Sequence, residues 1–190
     1  MKLAFIPLVA AALALSSAAH ATTYTIDPAH TFVTFEIDHL GTTTNRARFD
    51  KKEGSVTLDR AARTGKAEIV VDVTSVDSGT PQFDKHLQSV EILKAAQFPT
   101  AKFVSDKFSF NGDKVTEISG TLTIAGKSNP VVLKADRFNC YASPLFKREV
   151  CGGDFAATIQ RSQWGIDYAI QYGIPDSMRL VIQIEAVAAQ

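Results

Sequence analysis

The sequence has no excess of either charge, because its 20 Lys and Arg residues are balanced by 20 Asp and Glu residues. Nucleic-acid-binding proteins normally carry a clear surplus of Lys and Arg, so that function class is disfavoured, and no polybasic membrane patch is expected. Proline, glycine and tryptophan are scarce, at 7, 11 and 1 residues of 190. The composition therefore excludes collagen-like and low-complexity chains and indicates a single soluble domain.

The motifs of several common enzyme classes are missing. The chain contains no glycine-rich phosphate loop, no G-x-S-x-G elbow, no H-E-x-x-H and no closely spaced cysteine pair. The histidines after residue 21 are His30, His39 and His86, and no two have a ligand spacing such as i, i+4. We therefore predict no catalytic residue, no metal and no cofactor.

Residues 1–21 have the pattern of a secretory signal peptide. Lys2 supplies a positive charge, an apolar run follows from residue 3 to residue 15, and Ala19-His20-Ala21 fits an A-x-A cleavage site. The run is shorter than the ~20 apolar residues that a membrane-spanning helix needs. We expect cleavage after Ala21, export to the periplasm, and a mature domain over residues 22–190.

Cys140 and Cys151 are the two cysteines of the chain, and both lie in the predicted mature domain. An even cysteine count in an oxidising compartment favours a disulfide. The residues between them include Pro144 and several charges, which indicates a surface loop. A redox pair would more often be two residues apart, and a zinc site would need further ligands nearby. We predict a structural Cys140–Cys151 bridge.

Apolar residues alternate with polar ones along most of the mature chain, which is typical of strands with one buried face. In residues 31–39, for example, Val33, Phe35, Ile37 and His39 share one face. Asn111-Gly112 is a strong hairpin signal. About eight such strands with short turns indicate an antiparallel β-barrel or sandwich. Residues 82–96 instead have helical spacing, so we predict an all-β barrel with a short helical insertion there.

Several sequence blocks follow one another along the mature chain: Asp27-Pro28-Ala29-His30, Asp38-His39-Leu40-Gly41, residues 74–79 with 84–89, residues 98–103, residues 120–126, residues 161–166 and Ile184-Glu185-Ala186. In sequence and in order, these blocks resemble those of the YceI-like family of periplasmic polyisoprenoid-binding proteins. The chain differs from the usual family pattern at Ala47, Lys52, Phe83, Ile92-Leu93 and Ala125. The resemblance implies an extended, lipocalin-like, eight-stranded antiparallel barrel that encloses a long isoprenoid chain.

An eight-stranded barrel can be filled by its own side chains or can hold one small ligand. With the ligand that the resemblance implies, the inward-facing residues become candidates for its apolar wall. Burial of a tail of roughly 40 carbons at ~0.3 kcal/mol per heavy atom could reach about 12 kcal/mol. The predicted wall residues are Val33, Phe35, Ile37, Ile69, Val71, Phe103, Leu122, Ile124, Leu133, Phe155, Ile159, Leu180 and Ile182.

A polar mouth is predicted where the first long strand ends. Arg46 and Arg48, with Asn45, follow that strand on a predicted Gly/Thr-rich loop and could bind a pyrophosphate or a quinone oxygen. His39 at the inner end of the strand and His86 on the helical insertion are further candidates for a head-group hydrogen bond.

The sequence thus favours a periplasmic protein that carries or sequesters a polyprenyl lipid or an isoprenoid quinone without catalysing a reaction. Two alternatives stay open: a secreted lipid-acting hydrolase or isomerase that uses a cavity histidine, and a filled barrel that acts as an interaction module. The expected partner is the isoprenoid lipid, with no nucleic acid. A transient membrane-protein recipient and a homodimer are also open.

Overall fold

The computed structural model describes residues 21–190, so the predicted signal peptide lies outside the described residues except for Ala21. The elements are β1 (Thr22–Ile26), β2 (Phe32–His39), β3 (Thr43–Phe49), β4 (Lys52–Asp59), β5 (Thr64–Asp72), β6 (Val76–Asp77), α1 (Pro81–Leu87), β7 (Thr100–Asn111), β8 (Lys114–Ile124), β9 (Lys127–Ala142), β10 (Glu149–Gln160) and β11 (Ser177–Ala188). Short 3-10 turns lie at Val73–Ser75, Arg161–Trp164 and Ile170–Tyr172. Within residues 21–190, no helix has the length and apolar character needed to cross a membrane.

Eight of these strands close into a ring. Their order is β1-β4-β5-β7-β8-β9-β10-β11, and β11 pairs with β1 to complete the circle. Every neighbouring pair is antiparallel. The predicted eight-stranded antiparallel barrel is therefore confirmed.

Strands β2, β3 and β6 extend the barrel wall at one end. Strand β11 serves two partners, because its residues 179–183 pair with β2 and its residues 186–188 pair with β1. The segment between β1 and β2 bends at residues 27–30, where His30 Nδ1 lies 2.7 Å from Asp27 Oδ2. Strand β3 likewise continues into β4 after a short break. This arrangement lengthens the barrel along β11.

The alternation of apolar and polar residues along each strand decides which side chains point into the barrel. Across the β2–β3 pair, Phe35 lies opposite Ala47, and both are buried. The next pair, Glu36 and Arg46, points to the outer surface and forms an ion pair. Because successive residues of a strand face opposite sides, the apolar half of each strand lines the interior.

The helical prediction for residues 82–96 is confirmed only in its first half. Helix α1 ends at Leu87, and residues 88–97 form turns. The N–H of Lys94 donates to the carbonyl of Ser89 at 2.8 Å, and serine favours such turns over a helix interior. The chain reverses there, so Leu93 is buried while Val90 remains 66% exposed. A continuous helix would have placed Val90 on the buried face.

The predicted Cys140–Cys151 disulfide is present. The two cysteines are directly opposite each other on β9 and β10. Strand pairing continues beyond them to Ala142 and Glu149, so the hairpin loop covers only residues 143–148 and is shorter than predicted. Cys151 is buried, and the bridge joins two strands at the end of the barrel near β1.

Candidate functional site

The barrel encloses a cavity of about 510 Å³. This volume lies within the range of about 300–1,000 Å³ that is typical of ligand pockets. The predicted residues that line it are Val33, Phe35, Ile37, His39, Ile69, Val71, His86, Phe103, Leu122, Ile124, Leu133, Phe155, Leu180 and Ile182. Further apolar lining residues, not assigned to the wall from the sequence, include Val56, Leu58, Ala101, Phe108, Val115, Ile118, Val131, Phe138 and Ile184. The structure therefore brings most of the predicted set together around one space.

The inward side chains do not meet in the middle of the barrel. Val33, Ile37, Ile69 and Leu180 point inward from three strands, yet each keeps part of its surface uncovered. In a filled core such residues would be fully buried, because protein interiors are close-packed. The uncovered apolar surface is the cavity wall, and it distinguishes this barrel from the filled alternative.

Ile159 is the one predicted wall residue that does not line the cavity. It is buried at 5% exposure and lies opposite Met178 on the β10–β11 pair. Met178 does line the cavity. Ile159 therefore belongs to the packed core beside the cavity.

The prediction that Arg46 and Arg48 belong to the polar mouth is corrected by their placement. The sequence suggested a loop, but both lie on strand β3 and point to its outer face. Arg46 Nε lies 2.8 Å from Glu36 Oε1, and Arg48 Nε lies 2.9 Å from Asp50 Oδ1. The bonds from Arg46 and then Arg179 hold the pKa of Glu36 below its usual value. Both arginines therefore form ion pairs with carboxylates outside the cavity.

The cavity reaches the surface where the turn after β2, helix α1 and the loop at residues 165–176 converge, since its lining residues His39 and Tyr168 are exposed there. The rings of His86 and Tyr168 are 4.9 Å apart in an edge-to-face arrangement, which joins α1 to the loop. The Leu40 side chain packs against Gly173, since a Cβ built on Gly173 would lie 3.1 Å from Leu40 Cδ2. This contact joins the loop to the turn after β2. We call this opening the mouth.

Four polar side chains line the cavity at the mouth: His39, Asn45, His86 and Tyr168. Asn45 lies opposite Ile37 on the β2–β3 pair, on the inward face. Tyr168 is 41% exposed and was not predicted, because its loop has no hydrophobic period that would assign it to the cavity. Hydrogen-bond donors and acceptors are thus concentrated where the apolar wall ends.

Arg161 holds the mouth loop in place from inside. It is buried at 4% exposure and donates hydrogen bonds to the carbonyls of Pro175, Ile166, Tyr168 and Ile174. Burial lowers the pKa of its guanidinium. Four of its five N–H groups are used on the loop backbone, so Arg161 is a structural residue of the mouth.

The opposite end of the cavity is closed by a hydrogen-bonded cluster. The Tyr24 hydroxyl donates to Glu149 Oε1 at 2.5 Å, and Arg60 Nη2 donates to Glu149 Oε2 at 2.7 Å. Tyr24 is buried at 2% exposure and lines the cavity beside Cys151. Burial, and secondarily the bond to Glu149, raises the pKa of Tyr24 to about 12.

We expect the barrel to lose stability between pH 10 and pH 12 because of Tyr24. In this window the unfolded chain loses the tyrosine proton near its ordinary pKa of 10, while the native state keeps it up to about 12. The difference amounts to about 2–3 kcal/mol at the top of the window. Urea unfolding at pH 9, 10 and 11 should show a steeper decline for the wild type than for Tyr24→Phe. Tyr172→Phe is the control, because Tyr172 is 74% exposed. Parallel pH profiles for the wild type and Tyr24→Phe would refute the assignment.

A family model described as a YceI-like domain matches residues 24–186. The chain belongs to the YceI-like family. A UPF0312 protein of Shewanella denitrificans is 38% identical to this YceI-like chain over 131 residues, which are 67% of this chain and 69% of the relative. The resemblance seen in the sequence blocks is therefore confirmed.

Solved structures share the barrel of this YceI-like protein. BcnA of Burkholderia cenocepacia matches with a TM-score of 0.71 and 23% identity, over 85% of this chain and 99% of that chain. A polyisoprenoid binding domain from Saccharophagus degradans, implicated in plant cell wall breakdown, matches with a TM-score of 0.65 and 16% identity, over 88% and 99% of the two chains. At these identities the matches establish the fold.

Proposed function

We propose that this YceI-like protein is a periplasmic carrier that sequesters an amphiphilic polyisoprenoid, either a polyprenyl lipid or an isoprenoid quinone, in its barrel cavity. The observation that carries the proposal is the hollow, apolar interior of about 510 Å³ with polar groups at its mouth. The ligand's tail would lie along the apolar wall, and its head group would lie at the mouth. Release to a membrane-protein recipient would complete the carrier cycle.

The wall chemistry favours a long apolar tail over water. The cavity is large enough to hold several water molecules. Water beside this wall would find few hydrogen-bond partners, so an apolar tail that displaces it gains free energy at roughly 25 cal/mol per Å² of buried apolar surface. Binding therefore needs few polar contacts.

The likeness to the Saccharophagus degradans domain also supports the proposal, since that protein is named for polyisoprenoid binding and has the same fold. The periplasmic part of the proposal rests on the signal-peptide pattern of residues 1–21.

Binding without catalysis is the simpler role for the cavity histidines. Among residues 21–190, neither His39 nor His86 makes a hydrogen bond to another side chain. A general base is usually oriented by such a partner. The geometry of the described residues therefore supports head-group contact by these histidines and offers neither of them a nucleophile as partner.

The test uses Trp164, the single tryptophan of the chain. Its Nε1 donates to the carbonyl of Leu122 at 2.9 Å, and Leu122 lines the cavity. We expect a prenylated quinone to quench Trp164 fluorescence saturably at one ligand per chain.

The protein purified from a bacterial periplasm should carry an isoprenoid that native mass spectrometry detects and organic solvent extracts. The mass of its polypeptide should correspond to a chain that begins at Thr22. A lipid-free mass together with no quenching would refute the carrier function.

A further inference from the structure

Within residues 21–190, neither of the permanently charged side chains that line the cavity is arranged to bind an anionic head group. Among residues 21–190, the charged residues that line the cavity are Lys102 and Arg161. Lys102 is exposed, and its amino group pairs with Glu68 on the neighbouring strand β5. Arg161 is bound to four backbone carbonyls of the mouth loop. Lys102 is therefore paired outside the cavity, and Arg161 has at most one N–H group left, so neither offers the paired donors that a pyrophosphate needs.

The nearest arginines on strand β3 do not supply a cation either. Arg46 and Arg48 alternate with the inward residues Asn45 and Ala47, so their side chains are on the outer face of the strand. Arg46 pairs with Glu36, and Arg48 pairs with both Asp50 and Asp77. To reach the cavity they would have to break these pairs and cross the sheet.

The mouth does supply neutral hydrogen-bonding groups. Asn45 offers an amide with two donors and an acceptor, Tyr168 offers a hydroxyl, and His39 and His86 each offer one donor and one acceptor when uncharged. Such groups match a quinone carbonyl or an alcohol. A pyrophosphate would lose part of its hydration beside an apolar wall without gaining the charged partners that normally compensate for that loss.

We infer that the mouth selects an isoprenoid with an uncharged oxygen head group, such as a quinone or an alcohol, and discriminates against a pyrophosphate. His39, Asn45, His86 and Tyr168 are the residues that determine this specificity. The inference rests on the proposed function, because it assumes that the tail occupies the cavity.

The test compares three C20 probes with the same branched carbon skeleton: geranylgeraniol, geranylgeranyl pyrophosphate and the saturated hydrocarbon phytane. Each displaces the fluorescent isoprenoid retinol from the full mature chain at pH 8, above the range in which histidines ordinarily carry charge. We expect the alcohol to bind at least tenfold more tightly than the pyrophosphate. Equal affinities, or tighter binding of the pyrophosphate, would overturn the inference and leave the carrier function standing. If none of the probes binds, the proposed function itself is refuted.

Variants at the mouth sharpen the test. Asn45→Leu should weaken the alcohol about fivefold, the loss of one hydrogen bond of ~1 kcal/mol, and leave phytane unchanged. Asn45→Lys should raise the affinity of the pyrophosphate relative to the alcohol about tenfold, because it places a cation on the inward face. The outer-face control, Arg46→Ser with Arg48→Ser, should change neither affinity. A loss of pyrophosphate binding in that control, or no effect of either Asn45 variant, would overturn the inference.

Discussion

Ala101→Trp should abolish most isoprenoid binding and leave the barrel folded. Ala101 lies on β7 opposite Val71, lines the cavity and is only partly buried, so an indole there projects into open space. The ring would displace about ten ligand atoms, and at ~0.3 kcal/mol per atom the loss is about 3 kcal/mol, or roughly 100-fold in affinity. Retinol titration and Trp fluorescence measure the affinity, and circular dichroism checks the fold.

The matched control is Val104→Trp. Val104 lies three residues further along the same strand but on its outer face, where it is 43% exposed. The control should bind retinol as the wild type does, since it adds the same side chain outside the cavity. A charged residue at Phe103 would probe the same wall, but it would bury an unpaired charge and lower the unfolding free energy. If Ala101→Trp binds as tightly as Val104→Trp, the ligand is not in the cavity.

The strands and the cavity wall could be predicted because they depend on a local pattern. Alternation along β2 assigns Val33, Phe35 and Ile37 to one face, and the structure places all three on the cavity wall. The same pattern does not reveal whether opposite walls touch. Whether they touch depends on the closure of β1 onto β11 and on whether the side chains of opposite walls are long enough to meet. The volume of the cavity can therefore be read from the structure but not from the alternation of apolar and polar residues in the sequence.

The polar mouth was only partly predictable. Threonines around residues 42–44 suggested that Arg46 and Arg48 lie on a loop, whereas the chain is already paired as β3 from Thr43. Once the strand is known, its period assigns Asn45 inward and the two arginines outward. Tyr168 had no such local signal. Its position depends on contacts with His86 and on bonds from Arg161, which are distant in sequence or lie in an irregular loop.

The role of Arg161 leads to the second large expected effect, on stability. Arg161→Met keeps much of the side-chain volume but removes the donors for the carbonyls of Pro175, Ile166, Tyr168 and Ile174. Each buried carbonyl left without a partner costs about 1–3 kcal/mol, although some will reach water as the loop moves. We expect a loss of about 3–5 kcal/mol in the free energy of unfolding, measured by urea denaturation. Arg161→Lys should lie between this variant and the wild type, because an ammonium group has fewer donors.

Arg148→Met is the control for the general cost of losing an arginine. Arg148 Nη1 donates to the carbonyl of Ala188 at 2.9 Å, so this variant removes one such bond at the closed end of the barrel and should cost about 1 kcal/mol. Hydrogen exchange separates the two effects by location: Arg161→Met should accelerate exchange in residues 165–176, and Arg148→Met should not. Because those residues carry Tyr168 and Ile174 of the mouth, Arg161→Met should also speed retinol release. Equal destabilisation by both variants, with an unchanged release rate, would show that Arg161 does not organise the mouth.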